Sequence, residues 1–399
     1  MVNPANSKSR NHAIDVFRAV TMMLMIFVND LWTLTAVPKW LLHVPANVDG
    51  MGLSDVIFPA FLFIVGLSIP FAIKSRWDKG ASNISILTHV LLRSLALLTM
   101  GVFHVNLEVY QPELALLSKP VWQLLLTVSF FLIWMDYPKD GESRKKWTGK
   151  IAGALFLLFL AITYRGGTVS EPLWMAFYWW GILGLIGWAY LIASVVYLLT
   201  KGKLAGLWFA FLVCLSFSVL GKLGLLDFMS SIRSYVWLID NGATPALAIS
   251  GVLISTYYSR FFISGKSDRF WVVIGLVSLI SLAIGLATRS IWGIHKIGSS
   301  PSWVLICISI SIVSFAFLIW LVEIKQRKQW FDKIRPAGTS TLTCYLLPYI
   351  HYALLTLTGW VLPGFLKEGW LGIVKSLIYA FLIIQITGLL EKRRLRLKI

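Results

Sequence analysis

The sequence predicts an all-α fold, a polytopic transmembrane helical bundle of about 12 helices with both termini in the cytoplasm. Three observations predict it. Hydrophobic residues make up 57% of the 399-residue chain against 14% charged, with a mean hydropathy of +0.76, so there are too few charges to coat water-facing globules. Apolar runs of about 20 residues, each long enough to cross roughly 30 Å of hydrocarbon, recur to the end of the chain. Lys and Arg alternate in density from loop to loop. Composition excludes a disordered, collagenous or disulfide-stapled protein. The runs are apolar all round, whereas membrane-barrel strands alternate polar and apolar residues, so a barrel is excluded as well.

In chain order the apolar spans lie near residues 14 to 36, 53 to 73, 86 to 106, 121 to 136, 150 to 164, 174 to 199, 204 to 222, 244 to 263, 270 to 288, 302 to 322, 341 to 361 and 371 to 390. The first follows a polar, basic start, is longer than a signal-peptide core and has no small-x-small site just after it, so it is expected as a retained helix. The amino terminus (Lys8, Arg10), the tail from Lys392 and the loops 74 to 85, 137 to 150, 200 to 203, 259 to 270 and 323 to 340 hold 25 of the 36 Lys and Arg. The intervening loops hold eight: Lys39, Lys119, Arg165, Lys222, Arg233, Arg289, Lys296 and Lys367. Arg18, Arg93 and Lys375 lie inside spans. Such strict alternation follows from the positive-inside rule when no helix is missed, and it puts the loop 37 to 52 on the non-cytoplasmic side.

No loop exceeds about 20 residues, and Walker and Rossmann glycine patterns are absent, so a single membrane domain over 1-399 without a nucleotide-binding cassette is expected. The excess of 36 Lys and Arg over 18 Asp and Glu therefore reads as topology, with the lipid bilayer as partner and no nucleic acid. Trp32, Trp40, Trp77, Trp147 and Trp370 fall near span ends, as interfacial anchors do. Cys214, Cys307 and Cys344 are far apart, each within an apolar run, and read as packing residues. His12, His43, His89, His104, His295 and His351 show no H-x-x-H spacing, so no metal centre is expected.

Polar residues within or at the rim of a bilayer are costly, and they concentrate in the first three spans. On the first helix Arg18 and Asn29 point nearly the same way, with Asp15 about 40° off that line. Asp15 and Arg18 also fit an i,i+3 ion pair, and Asn29 a hydrogen bond between helices. Asn29 lies about 16 Å above Arg18 along the axis, near the outer interface. The next loop holds His43, and Ser54-Asp55 opens the second span from the outside. Asp55 also suits the exposed amides of a first helical turn, and a lone loop His is more often simply solvated.

The ordered combination Ile14-Asp15-Val16-Phe17-Arg18, Met25-Ile26-Phe27-Val28-Asn29, the loop His43, and Ser54-Asp55-Val56-Ile57-Phe58-Pro59 running to Gly66 resembles the heparan-α-glucosaminide N-acetyltransferase family. Further similar pieces are Leu91-Leu92-Arg93-Ser94, residues 182 to 190, Thr244-Pro245-Ala246 and Ser302-Trp303. The resemblance covers most of the chain and is strongest over 13 to 106. It implies a polytopic acyltransferase that takes acetyl from cytosolic acetyl-CoA and delivers it to a terminal glucosamine amine across the membrane, with a loop His at the centre of catalysis. By position that role falls to His43, with Asn29 and Asp55 beside it. The family's Gln-Arg is replaced by Gly184-Leu185, and an Asn by Ser340. The pair of spans within 121-164 looks like an insertion between the catalytic helices of 1-106 and the remaining bundle of 174-390. The pattern fits a bacterial branch, which implies the inner membrane.

On this reading His43 acts as base towards an amine attacking a thioester, since an imidazole near pKa 6.5 accepts a proton at working pH. Asp55 orients the ring, and Asn29 donates to the oxyanion. A covalent acetyl-imidazole relay is the alternative route. The cations expected for the CoA phosphates are Arg18, Arg93, Lys74 and Arg76, the last two also accounted for by positive-inside bias. The acceptor is a small molecule or glycan on the periplasmic face, and a homo-oligomer is compatible with the chain. The rival reading is a secondary transporter of a small polar solute, disfavoured because its two halves should both carry midplane polar groups. A non-catalytic scaffold would leave His43 idle.

Overall fold

The computed structural model describes residues 11–138, 143–233, 235 and 242–399. Lys8 and Arg10, counted above for topology, lie outside the described residues. Helices α1 (His12–Asp30), α2 (Ser54–Trp77), α3 (Asn83–Glu108), α4 (Lys119–Trp134), α5 (Ser143–Ile162) and α6 (Ile182–Thr200) form the first half. The second half comprises α7 (Leu204–Lys222), α8 (Ala243–Tyr257), α9 (Ser267–Ala287), α10 (Pro301–Leu318), α11 (Thr341–Thr358) and α12 (Gly369–Lys392). A two-residue ladder pairs Gly166–Gly167 with Pro172–Leu173 in the loop before α6.

Local chemistry sets several ends. The Ser82 hydroxyl accepts from the Ser85 amide at 3.2 Å to open α3, and Ser300 does the same for Trp303 at 3.3 Å, with Pro301 at the start of α10. α6 stops where Lys201 turns left-handed at φ 50°, and α11 stops at Gly359 with φ 66°, a conformation glycine adopts without a Cβ penalty.

Among the described residues, seven helical segments are long and apolar enough to cross a membrane: α2, α3, α6, α7, α9, α12, and α10 extended by a π-helical turn to Ile324. Four of the others fall short for visible reasons. α1 carries Asp15, Arg18 and Asp30, α5 begins with Arg144, Lys145 and Lys146, and α4 and α8 are only 16 and 15 residues long. Leu212, Val272, Leu279 and Leu382 stand exposed on the outer helices, as lipid-facing side chains do. The chain is an all-α, polytopic integral membrane protein.

Buried positions sort the helices into centre and periphery. Within α2, 72% of the apolar window is buried, against 22% in α7 and in α9, and α8 is buried from Ala243 to Thr256. α2 and α8 meet at two glycines. A Cβ on Gly66 would lie 1.8 Å from the Ala248 carbonyl oxygen, and one on Gly251 2.0 Å from that of Phe63. α3 and α6 meet similarly, since a Cβ on Gly101 would lie 2.4 Å from the Gly184 nitrogen. Gly184, where the resemblance breaks, thus stands where two helix backbones touch.

The span 174 to 199 is corrected at its start, because helix begins only at Ile182. The fully buried Asn106 explains the preceding stretch: its carboxamide donates to the Ala176 carbonyl at 2.9 Å and accepts from the Ala176 amide at 3.1 Å. That two-sided pairing fixes the backbone at Ala176, within a stretch, 174 to 181, that is non-helical despite its apolar composition.

Two ends of the bundle can be told apart by what packs there. At one, Thr35 pairs with Lys367, and the Gly50 amide donates to Ile294 O, gathering the loops after α1, before α10 and before α12. At the other, the Ala13 amide donates to Glu323, and the stretch 394 to 399 lies along the end of α4, with Lys398 N donating to Trp134 O at 2.7 Å.

Candidate active site

The loop between α1 and α2 carries His43 to within hydrogen-bond distance of Asp55 in the first turn of α2. His43 Nδ1 lies 2.7 Å from Asp55 Oδ1, with 49% of the His43 side chain exposed and 1% of Asp55. The other oxygen, Oδ2, accepts from the Gly52 amide at 3.0 Å and the Val44 amide at 3.1 Å. A carboxylate only accepts, so Nδ1 donates to Asp55, and in the neutral ring Nε2 is left as the acceptor. Such an arrangement can serve as an oriented base.

The loop is held by close backbone approach. A Cβ on Gly52 would lie 2.0 Å from the Leu42 carbonyl oxygen, so only glycine fits there. Ser54 donates its hydroxyl to Leu41 O at 2.5 Å, the Leu53 amide donates to Trp40 O at 2.7 Å, and Trp303 Nε1 donates to Asp55 O at 3.2 Å. Asp49 ties this loop to the one before α10, accepting from Arg289 Nε at 2.8 Å and the Ile294 amide at 2.7 Å. Those two donors hold the Asp49 carboxyl below the usual aspartate range.

That second loop brings in Lys296. Its Nζ lies 3.0 Å from His43 Nδ1, 3.3 Å from Nε2 and 3.9 Å from Asp55 Oδ1. The two ring lone-pair directions diverge, so an ammonium within reach of both nitrogens stands over the ring and in line with neither. Only 25% of the Lys296 side chain is exposed. Burial lowers its ammonium pKa from the ordinary lysine value, and the Asp55 charge opposes that shift.

A cavity of about 530 Å³ opens between α1, α2, α3, α6 and the start of α11. Arg18 and Arg93 both line it. Arg18 donates to Asp15 Oδ1 at 3.2 Å, to Gly338 O at 3.2 Å and to Ser68 Oγ at 2.6 Å, while the Arg93 guanidinium lies 4.8 Å from the centre of the Tyr190 ring. Ser194 and Ser340, buried in the lining, have hydroxyls with no hydrogen-bond partner. Two guanidinium groups with two unsatisfied hydroxyls along apolar walls fit an elongated ligand that bears anionic groups.

The structure therefore joins His43 to Asp55, and Arg18 to Arg93. It does not join all the residues singled out from sequence. Asn29 is exposed and makes no hydrogen bond to His43 or Asp55; at that turn the residue facing inward is Asp30. Lys74 is exposed and Arg76 half-buried, and neither lines the cavity. They follow the inward-facing part of α2 and sit on its last turn. Sequence reasoning missed Lys296, although a positive charge in a loop class poor in positives was a signal. It also missed the framing residues Asp49, Ser194 and Gly338, which carry no such mark. Among the described residues, no group of three or more His, Cys, Asp and Glu is placed to hold a metal ion.

The profile of a family described as a domain of unknown function, DUF5009, matches residues 10–218, more than half of the chain, and the chain belongs to that family. It is similar to the heparan-alpha-glucosaminide N-acetyltransferase of Mus musculus, with 32% identity over 101 residues, 25% of this chain and 15% of that protein. The Homo sapiens protein of the same name is 32% identical over 97 residues, 24% of this chain and 14% of its own length. The similarity is distant and spans a small part of either relative.

Proposed function

We propose that this DUF5009 protein is a membrane-bound acyltransferase that takes acetyl from cytosolic acetyl-CoA and transfers it to an amino sugar or glycan amine on the periplasmic side of a bacterial inner membrane. The observation that carries the reading is the 2.7 Å contact between His43 and the buried, backbone-held Asp55. Such a pair fixes the tautomer and leaves Nε2 to take a proton from an incoming amine. Asp55 then stabilises the imidazolium that forms. Asn29, exposed at the same end of the bundle, is left as a contact for the acceptor.

The donor is supported by the cavity at the other end. Arg18 and Arg93 would hold phosphates, with Lys74 and Arg76 as outlying positive charges that draw the anion in. The unsatisfied hydroxyls of Ser194 and Ser340 would meet amide groups of the pantetheine arm. The cavity lining reaches Met25 on α1 and Phe61 on α2, and Phe61 is about 9 Å along the helix from Asp55. A thioester at the tip of an extended arm supplies the activated acyl group there. The buried lining gives the arm a route through the inner half of the bilayer without CoA itself crossing.

The sidedness in this proposal rests on the partition of loop charges. His43 belongs to a loop poor in positives, and the cavity opens towards loops rich in them. We take residues 1-399 as one domain, with α4 and α5 as an added pair. The deciding experiment is acetyl-CoA turnover by purified protein in detergent with glucosamine as acceptor. Acceptor-dependent release of CoA thiol is expected, and solute flux in proteoliposomes without such release would favour a transporter instead.

A further inference from the structure

Asn29 makes no hydrogen bond to His43 or Asp55, so the position from which an oxyanion could be stabilised falls to another donor. Lys296 Nζ lies 3.3 Å from His43 Nε2, the nitrogen left bare by the Asp55 contact. Any amine hydrogen-bonded to Nε2 places the carbonyl it attacks within a few ångströms of that ammonium. The loop bearing Lys296 is braced on both sides. His295 N donates to Ser300 Oγ at 3.0 Å, Ser300 donates its hydroxyl to Gly293 O at 2.9 Å, and Asp49 grips Ile294. Lys296 is thus a preorganised cation in a mostly desolvated position, where a charge acts more strongly than in water.

We infer that Lys296 is a catalytic residue of this site: its ammonium binds the carbonyl oxygen as negative charge develops there. The inference rests on the acyltransferase reading and assigns a residue that reading does not need. The groups facing the ring are Asp55 from α2 and Lys296 from the loop before α10, with Cys307 of α10 facing Lys296 in turn. Asp49, on the same loop as His43, is neutralised by Arg289.

The step balances as follows. The amine nitrogen forms a bond to the thioester carbonyl carbon, the π pair moves to oxygen beside Lys296 Nζ, and His43 Nε2 takes one amine proton. The C–S bond then breaks as the carbonyl reforms, and His43 returns its proton to the departing thiolate. The products are an N-acyl amine and CoA thiol, with Lys296 charged throughout.

The test uses full-length protein in detergent with acetyl-CoA and glucosamine, comparing wild type, Lys296→Met, Lys296→Arg and His43→Ala. Loss of an oxyanion donor typically costs about 10² to 10³ in kcat, so Lys296→Met is expected in that range with acetyl-CoA binding kept. Lys296→Arg, which keeps the charge, is expected to retain more activity than Lys296→Met. Wild-type kcat in Lys296→Met alongside an inactive His43→Ala would overturn the assignment and leave the acyltransferase reading standing. A wild type that turns over no acetyl-CoA removes the reading and the assignment together.

Discussion

Lys375 Nζ donates to Asp30 Oδ2 at 2.6 Å, joining α12 to the last turn of α1 through an ion pair with 3% of the Asp30 side chain exposed. Ser376 Oγ donates to the same oxygen at 2.6 Å, Tyr352 donates to Oδ1, and Lys375 reaches Thr33 Oγ1 at 3.1 Å. Lys375, a charge placed within a carboxyl-terminal span, is therefore neutralised by α1, and needs no solute pathway to explain it. Removing one partner leaves a buried charge unpaired, which typically costs about 3 to 5 kcal/mol, whereas removing both often costs far less. Asp30→Asn and Lys375→Met are each expected to lower the melting temperature in detergent sharply, and Asp30→Asn/Lys375→Met to recover much of the loss. Additive losses in the double variant would show that the pair is not coupled.

Asp49 gives a pH-dependent counterpart at the active-site loops. Its carboxyl is held low by Ile294 and Arg289, so its stabilising contribution is present above the ordinary aspartate pKa and is lost as pH falls through the lowered native value. The melting temperature of Asp49→Asn is expected to lie below that of wild type at neutral pH, with the gap closing in acid. A gap that stays constant from neutral to strongly acid pH would mean that the carboxylate charge does not hold the two loops together.

His43→Ala is expected to bind acetyl-CoA yet lose about 10² to 10⁴ in kcat, the usual cost of removing a positioned base. Asp55→Asn should show a milder rate loss together with reduced thermal stability, because Asp55 also accepts from two loop amides. Comparing turnover with calorimetric binding separates these effects. Near-wild-type turnover in His43→Ala would remove the base mechanism.

For donor binding, Arg93→Ala is expected to weaken acetyl-CoA affinity about 10-fold to 100-fold, since a hydrogen bond to a charged group is worth roughly 1.5 to 3 kcal/mol. Arg18→Ala should do the same with an added stability loss, because Asp15, Ser68 and Gly338 lose a shared partner. Lys74→Ala and Arg76→Ala should change affinity little and mainly through salt-dependent attraction. Isothermal calorimetry would show the contrast, and equal losses in all four variants would argue against the cavity.

Sidedness is open to direct labelling. The three native cysteines are buried, so a cysteine placed at exposed Asn47 can be read against a low background. Asn47→Cys and Glu113→Cys are expected to react with an impermeant maleimide in intact cells, and Lys328→Cys only after the membrane is opened. The reverse pattern would invert the bundle and put His43 on the cytoplasmic side.

Much of this protein is decided locally and is legible as sequence. Apolar runs must satisfy their backbone internally, which makes them helices wherever nothing competes, and scarce loop charges order the topology. His43 and Asp55 could be picked out because both are costly, chemistry-bearing residues close in the chain, at the end of one span and the start of the next. The failures have a common cause. Lys296 is separated from His43 by most of the chain, Asp30 and Lys375 by still more, and a helix face cannot be assigned until its neighbours are known. Asn29 and Asp30 are adjacent in sequence but 100° apart around the helix, so packing alone chose which one turned inward. The stretch before α6 is apolar like a helix yet non-helical, and a distant carboxamide, Asn106, pairs with its backbone at Ala176. Composition and periodicity determined that the chain crosses a membrane as helices; tertiary structure decided which polar groups meet, because those meetings depend on contacts between residues far apart in the chain.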